Sequence, residues 1–293
     1  MRTEKTMLET ITGYAKNDAR IRAVYMNGSR TNPNVPKDIF QDFDIVYVVE
    51  ETKPFIEDKR WLKVFGEILI MQEPDWLDKG LGRSVDFSSR YAYLMLFTDG
   101  NRIDLSLQSI KAMKQVYGQD RLTIPLLDKD NILPSIPPPT DEDYYIQRPS
   151  EGQYNSCTND FWWCLQNVAK GLWRKELPYV KGMFEETIRY RVDCMVNWWI
   201  GVHYGYQLST GKYGKYIKRY LPESYWQLYK KTFSNAEDEM MWESVFVSCD
   251  LFRSLARDVG VHFGYVYPEE NDHHMMMYLQ RVRELPADAE DIL

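Results

Sequence analysis

The sequence predicts an α+β fold: a small mixed sheet with flanking helices in the first half and an all-helical bundle in the second. Three observations carry this. Runs of β-branched and aromatic residues, such as Ile45-Val46-Tyr47-Val48-Val49, occur in the first half. Past residue 150, apolar residues recur at helical spacing instead. Between the two halves, Leu133 to Ser150 contains five prolines and the acidic run Asp141-Glu142-Asp143, a stretch that can continue neither a helix nor a central strand. The expected division is therefore a sheet domain over residues 1–133, a Pro-rich linker over 134–150, and a helical domain over 151–293.

Residues 3–18 carry Met7, Leu8, Ile11 and Tyr14 on one helical stripe. A strand follows over 21–27 and runs into Gly28-Ser29, where a glycine lets the backbone turn sharply and present N–H groups to an anion. Pro33, Pro36 and two asparagines make the stretch up to Asp42 a loop, long enough to fold over a nucleotide. A second strand is expected over 43–49, and Glu67 to Met71 is a third. Tyr91 to Phe97 and Arg102 to Leu107 read as a hairpin through Asp99-Gly100. Ser109 caps a helix over 110–117, and the helices are expected on one side of the sheet.

In the second half, Cys157, Phe161, Cys164, Leu165, Val168 and Leu172 share one helical face. Val180, Phe184, Ile188, Val192, Met195 and Trp199 share another, and further helical patterns cover 222–233, 237–258 and 272–283. The acidic end, Pro286 to Leu293, is expected to fray.

The stretch that points to chemistry spans residues 24–46, completed by Asp104. Asp42 and Asp44 stand two apart at the mouth of a strand, so both carboxylates leave the sheet on the same face while Phe43 points the other way. Asp104 opens a further apolar run. If these strands are neighbours, three carboxylates meet beside a phosphate-binding turn, the layout of a two-metal site for phosphoryl or nucleotidyl transfer.

Gly-Ser, twelve residues, Asp-x-Asp and a late Asp resemble the polymerase-β-like nucleotidyltransferase superfamily. Met26 to Asn32, Gln41 to Val46, Asp99 to Leu105, and Ala169 to Tyr179 with Lys181-Gly182-Met183 narrow this further. They resemble the aminoglycoside 6-adenylyltransferases, and the likeness covers nearly the whole chain. The resemblance implies a nucleotidyltransferase domain followed by a helical domain, ATP as co-substrate, two Mg2+ ions, and transfer of AMP to position 6 of streptomycin. Asp42 and Asp44 are then the metal ligands. Asp104 is general base or shared metal ligand; the resemblance assigns it the base, and the residues themselves leave both open. Gly28 and Ser29, with Arg30, would hold phosphates, joined by Lys170 and Lys181. The cationic drug is expected against Trp173, Glu176, Glu185 and Glu186 of the second domain and Asp86 and Trp76 of the first, since a guanidinium stacks on aromatic rings and pairs with carboxylates.

Composition agrees with a compact enzyme that takes a cationic small molecule. Aromatic residues make up 14% and the net charge is −7, which disfavours a nucleic-acid surface. Cys157, Cys164, Cys194 and Cys249 form no Cys-x-x-Cys pair, so buried free thiols are expected rather than zinc or disulfides. His273-His274 read as surface. The N-terminus lacks a signal-peptide core, and no apolar run approaches the roughly 18 residues a membrane span requires; a cytoplasmic location is expected. Two other readings stay open. One is a nucleotidyltransferase acting on protein or RNA, of the kind paired with an Arg-x(4–6)-His antitoxin, a spacing that Arg257 and His262 match. The other is a binding module that has lost catalysis.

Overall fold

Six strands form one sheet in the order β3-β4-β5-β2-β1-β6. In chain order they are β1 (Ile21–Asn27), β2 (Phe43–Val49), β3 (Ile68–Gln72), β4 (Arg90–Phe97), β5 (Arg102–Ser109) and β6 (Thr123–Asp128). The central pair β2 and β5 runs parallel, and the other neighbours are antiparallel. The computed structural model describes residues 1–292; the terminal Leu293 of the expected frayed tail lies outside the described residues. The chain divides into two compact units, Met1–Asp143 and Tyr144–Leu293.

In the sheet unit, α1 (Glu4–Asn17) is capped by the Thr3 hydroxyl and buries Met7, Ile11 and Ala15. These pack with Val24, Met26, Phe43, Ile45, Tyr47, Tyr93, Leu105 and Leu107 on one sheet face. The alternate residues point to the other face. There Ala23, Tyr25, Val46 and Val48 pack with Met113 of α4 (Ile110–Val116). Helices therefore flank both faces rather than the one side expected. Both faces of the central strands are apolar along most of their length, so each requires a cover. The seven-residue α4 reaches only part of its face.

Sequence reading passed over β6, an edge strand interrupted by Pro125, and the short helices α2 (Lys53–Glu57) and α3 (Pro74–Gly80). Proline is tolerated at an edge because the missing N–H faces outward. The Pro-rich segment is shared between the units. Its first part joins the sheet unit, where buried Asp141 accepts from the side-chain amides of Asn34 (2.6 Å) and Asn32 (3.4 Å) and so anchors the loop before Asp42.

The helical unit comprises α5 (Glu151–Trp173), α6 (Leu177–Met183), α7 (Arg189–Tyr204), α8 (Glu223–Lys231), α9 (Asp238–Phe263) and α10 (Glu269–Glu284). Ser150 and Gln153 form a reciprocal capping box at the start of α5. One core joins Phe161, Leu165, Phe184, Val192, Met195, Phe252 and Leu255. The helix expected through residues 180–199 is continuous but carries a π-turn at Phe184–Ile188, between α6 and α7. The four cysteines are free thiols, Cys157 and Cys249 buried and the other two half-buried. His273 and His274 are exposed. Among the described residues, no helix is long and apolar enough to cross a membrane.

Candidate active site

The parallel register of β2 and β5 aligns Asp44 with Asp104. Residues opposite one another in a sheet point to the same face, so their carboxylates stand side by side. Val46 and Val48 occupy that same face further along β2, beneath α4; Asp44 and Asp42 lie at its other end. Phe43, of opposite parity, is buried in the core beneath α1. Burial pushes the Asp44 carboxyl up to about 6, reinforced by the neighbouring charges of Asp104 and then Asp42. Ionising it therefore costs more than in water, the electrostatic state of a site suited to cations.

Gly28 ends β1 at φ +78° and ψ −162°, a conformation essentially reserved for glycine. A Cβ there would sit 2.1 Å from Asp44 Oδ2. The turn is thus pressed directly against the carboxylate. Its own N–H donates to Leu122 O at 3.0 Å, so Gly28 acts through shape. Ser29, half-buried, opens the short 3-10 turn that follows.

Arg30 is buried. Its guanidinium donates to the carbonyls of Gln41 and Asp42, lies 3.8 Å over the Phe43 ring and approaches Glu4 at 3.6 Å. It braces the entry to β2 from beneath the carboxylates. Arg102, which sequence reading left without a role, sits among them. Its Nε and Nη2 donate to the two oxygens of Asp104, each at 2.7 Å, and its Nη1 lies 3.5 Å from Asp42 Oδ2. The signal was present in the sequence: Arg102 precedes Asp104 by two, and so shares its face.

Among the described residues, no three acidic, histidine or cysteine side chains form a ready-made metal cage. Asp42 and Asp104 are instead bridged by a guanidinium. The donor set still fits magnesium, which prefers oxygen ligands and is held by one or two carboxylates completed by phosphate oxygens and water.

The other site residues expected in the sheet unit lie near its surface. Trp76 is exposed and stacks on Phe87 at 6.2 Å. Asp86 accepts from the Ser88 hydroxyl (2.6 Å) and N–H (3.0 Å), and the Ser88 hydroxyl bond chiefly lowers its carboxyl pKa.

In the helical unit, Lys170 lies half-buried in the last turn of α5, where a cation meets the negative end of the helix. Lys181 Nζ lies 3.5 Å from Glu185 and 3.4 Å from Ser234 O. Glu185 also accepts from Arg189 at 2.5 Å, within the π-turn. π-turns are frequent at functional sites. Glu176 and Glu186 are exposed. Trp173 packs against the core and donates its indole N–H to the carbonyl of exposed Pro286 at 3.2 Å, which engages its polar edge. Arg257 is held in a bidentate pair with Glu269.

The family model described as streptomycin adenylyltransferase matches residues 1–282. The chain belongs to this family. It is 39% identical over 268 residues to an aminoglycoside 6-adenylyltransferase of Campylobacter jejuni, with 92% of each chain covered. It is 36% identical over 273 residues to the Bacillus subtilis protein of that description, covering 93% of this chain and 95% of the relative. Over 269 residues it is 32% identical to the one from Staphylococcus aureus, covering 92% and 94%. As a family member the chain is an enzyme of the nucleotidyltransferase class, and the acid cluster at the ends of β2 and β5 is its candidate centre.

Proposed function

We propose that this enzyme transfers AMP from ATP to a hydroxyl of streptomycin, at position 6, with two magnesium ions and release of pyrophosphate. The observation that carries the reading is the side-by-side alignment of Asp44 and Asp104 against the Gly28 turn. The description of the family and the names of the relatives support the reaction and the drug class.

The hydroxyl oxygen bonds to the α-phosphorus, the bond from that phosphorus to the α,β-bridging oxygen breaks, and pyrophosphate leaves. Asp104 takes the hydroxyl proton. Asp42 and Asp44, with an oxygen of Asp104, would hold the magnesium ions, which would supply charge neutralisation for the triphosphate and a lowered pKa for the attacking hydroxyl. Gly28 leaves room for the carboxylate beneath it, Ser29 offers its N–H and hydroxyl to phosphate oxygens, and Arg30 fixes the Asp42 backbone. In the helical unit, Lys170 and Lys181 take nucleotide phosphates. The exposed carboxylates Glu176 and Glu186, with Glu185 behind them, attract the guanidinium groups of the drug. Trp76 and Asp86 are proposed to contact it from the sheet unit. Trp173 supports this reading less, because its indole N–H is already engaged by the Pro286 carbonyl.

The test is incubation with ATP, magnesium and a panel of aminoglycosides, following pyrophosphate and the mass of the drug. The expected result is pyrophosphate release with streptomycin and a drug heavier by one adenylyl group. Release with protein or RNA and none with any aminoglycoside would replace this reading with modification of a macromolecule. No release with any acceptor would leave a binding module.

A further inference from the structure

The four charged residues at the mouth of β2 and β5 form a rectangle. Extending the parallel register by one row sets residue 42 beside 102, next to the row that pairs Asp44 with Asp104. Strands lie about 4.8 Å apart and alternate residues about 6.7 Å along the strand, so the four side chains rise from one face as a compact set. Three are carboxylates and one is a guanidinium. Arg102 grips both oxygens of Asp104 at 2.7 Å and leans toward Asp42 at 3.5 Å.

We infer that Arg102 is an exchangeable counter-ion of this acid cluster: it holds the Asp104 and Asp42 carboxylates while the site is without nucleotide, and divalent ions arriving with the nucleotide displace it. The inference rests on the magnesium-dependent reading proposed above. A bidentate guanidinium takes the same carboxylate edge that a divalent ion uses, so the two compete for Asp104. The Arg102 side chain is 44% exposed and can swing out into water, whereas Asp104, at 19%, stays in place to receive a replacement cation. Buried Arg30, by contrast, is fixed by two carbonyls and an aromatic ring, so the strand entry stays in place when Arg102 leaves. The consequence is ordered loading: free metal ions meet Asp104 and Asp42 already engaged by Arg102, and a metal–nucleotide complex meets a cluster whose cation can step aside onto phosphate oxygens. Arg102 is in this sense a positioning residue.

Mn2+ serves as the probe, its free concentration followed by electron paramagnetic resonance. Wild type, Arg102→Gln and Arg102→Lys are titrated without nucleotide and again with the α,β-methylene analogue of ATP. The expected result is that Arg102→Gln binds Mn2+ at least tenfold more tightly than wild type without nucleotide, with Arg102→Lys between them. The difference is expected to shrink when the analogue is present. Equal or weaker binding by Arg102→Gln overturns the inference, and weaker binding is also what a purely structural role predicts. Melting in EDTA checks that each variant is folded; if Arg102→Gln is not, Arg102→Lys carries the test with an expected gain of about threefold. Asp44→Asn separates the two levels of argument. If wild type with the analogue shows no Asp44-dependent Mn2+ binding, the magnesium-dependent reading itself fails. If it does, and the Arg102 variants gain nothing, the counter-ion role alone fails.

Discussion

In the sheet unit, Asp42, Asp44 and Asp104 crowd one end of a single sheet face, and the Asp44 carboxyl is pushed up to about 6 by burial and by its neighbours. In the helical unit, the buried acid Asp272 is matched to base. Asp272 accepts from Arg253 at 2.6 and 2.7 Å and from the Tyr267 hydroxyl at 2.7 Å. Glu185 lies between Arg189 and Lys181, and Asp160 meets Arg191. A fold that needs only to stand neutralises the charges it buries. Three carboxylates that share one guanidinium mark the place where a ligand is expected to complete the electrostatics. The difference between the acid cluster and Asp272 thus separates residues proposed for chemistry from one that holds the fold.

Substitutions on either side of this contrast test it. The largest effect is expected for Asp104→Asn, which removes the proposed proton acceptor and should lower kcat roughly 10³- to 10⁴-fold. Nucleotide binding, measured by calorimetry, should change little. Wild-type turnover in this variant would end the assignment. Asp272→Ala takes the bidentate partner from half-buried Arg253, leaving it only Asp250 at 2.7 Å, and should cost about 2–3 kcal/mol in urea unfolding. Residual enzyme that stays folded should keep its kcat, since nothing in the acid cluster is touched.

Gly28→Ala combines a disfavoured backbone with a Cβ driven into Asp44 Oδ2. The strain is about 2–3 kcal/mol, and at least a hundredfold loss of activity is expected because Asp44 must move to relieve it.

Asp44→Asn should have the opposite sign on stability. The carboxyl binds its proton more tightly folded (about 6) than unfolded (3.8), so stability falls as pH rises through that window. At pH 7.5 in EDTA the asparagine variant should be more stable than wild type by about 2 kcal/mol, after discounting for partial exposure, and the gain should vanish below about pH 4. A variant equally or less stable at pH 7.5 would show the charge already compensated. Excess magnesium with nucleotide should erase the advantage, because the ligand stabilises wild type selectively. The smallest effect is expected at Lys181→Glu, a roughly tenfold rise in KM for ATP with kcat nearly kept. An unmoved KM would reduce Lys181 to an intrahelical partner of Glu185.

Much of this molecule was legible as pattern. Period-two runs located β1, β2, β4 and β5, helical spacing located α1 and the helices of the second half, and the Asp99-Gly100 turn located the β4–β5 hairpin. Those signals are local, carried by propensity and by alternation of burial. β6 escaped because Pro125 argues against a strand unless one knows it lies at an edge. The second helical cover escaped because α4 is too short for its direction to be read from spacing.

The site divides along the same line. Residue types and their spacing were enough to name Asp42, Asp44, Asp104 and Gly28, since alternation along a strand fixes which side chains share a face. Tertiary structure alone decided the parallel register that seats Asp44 beside Asp104, the carboxylate packed where a Gly28 side chain would be, and the division of labour between the two arginines. Arg30 is turned under the sheet as a brace and Arg102 stands among the acids as their counter-charge. The physical reason is distance along the chain: contacts between residues 28 and 44, or 42 and 102, depend on which strands become neighbours, and no local preference encodes that choice.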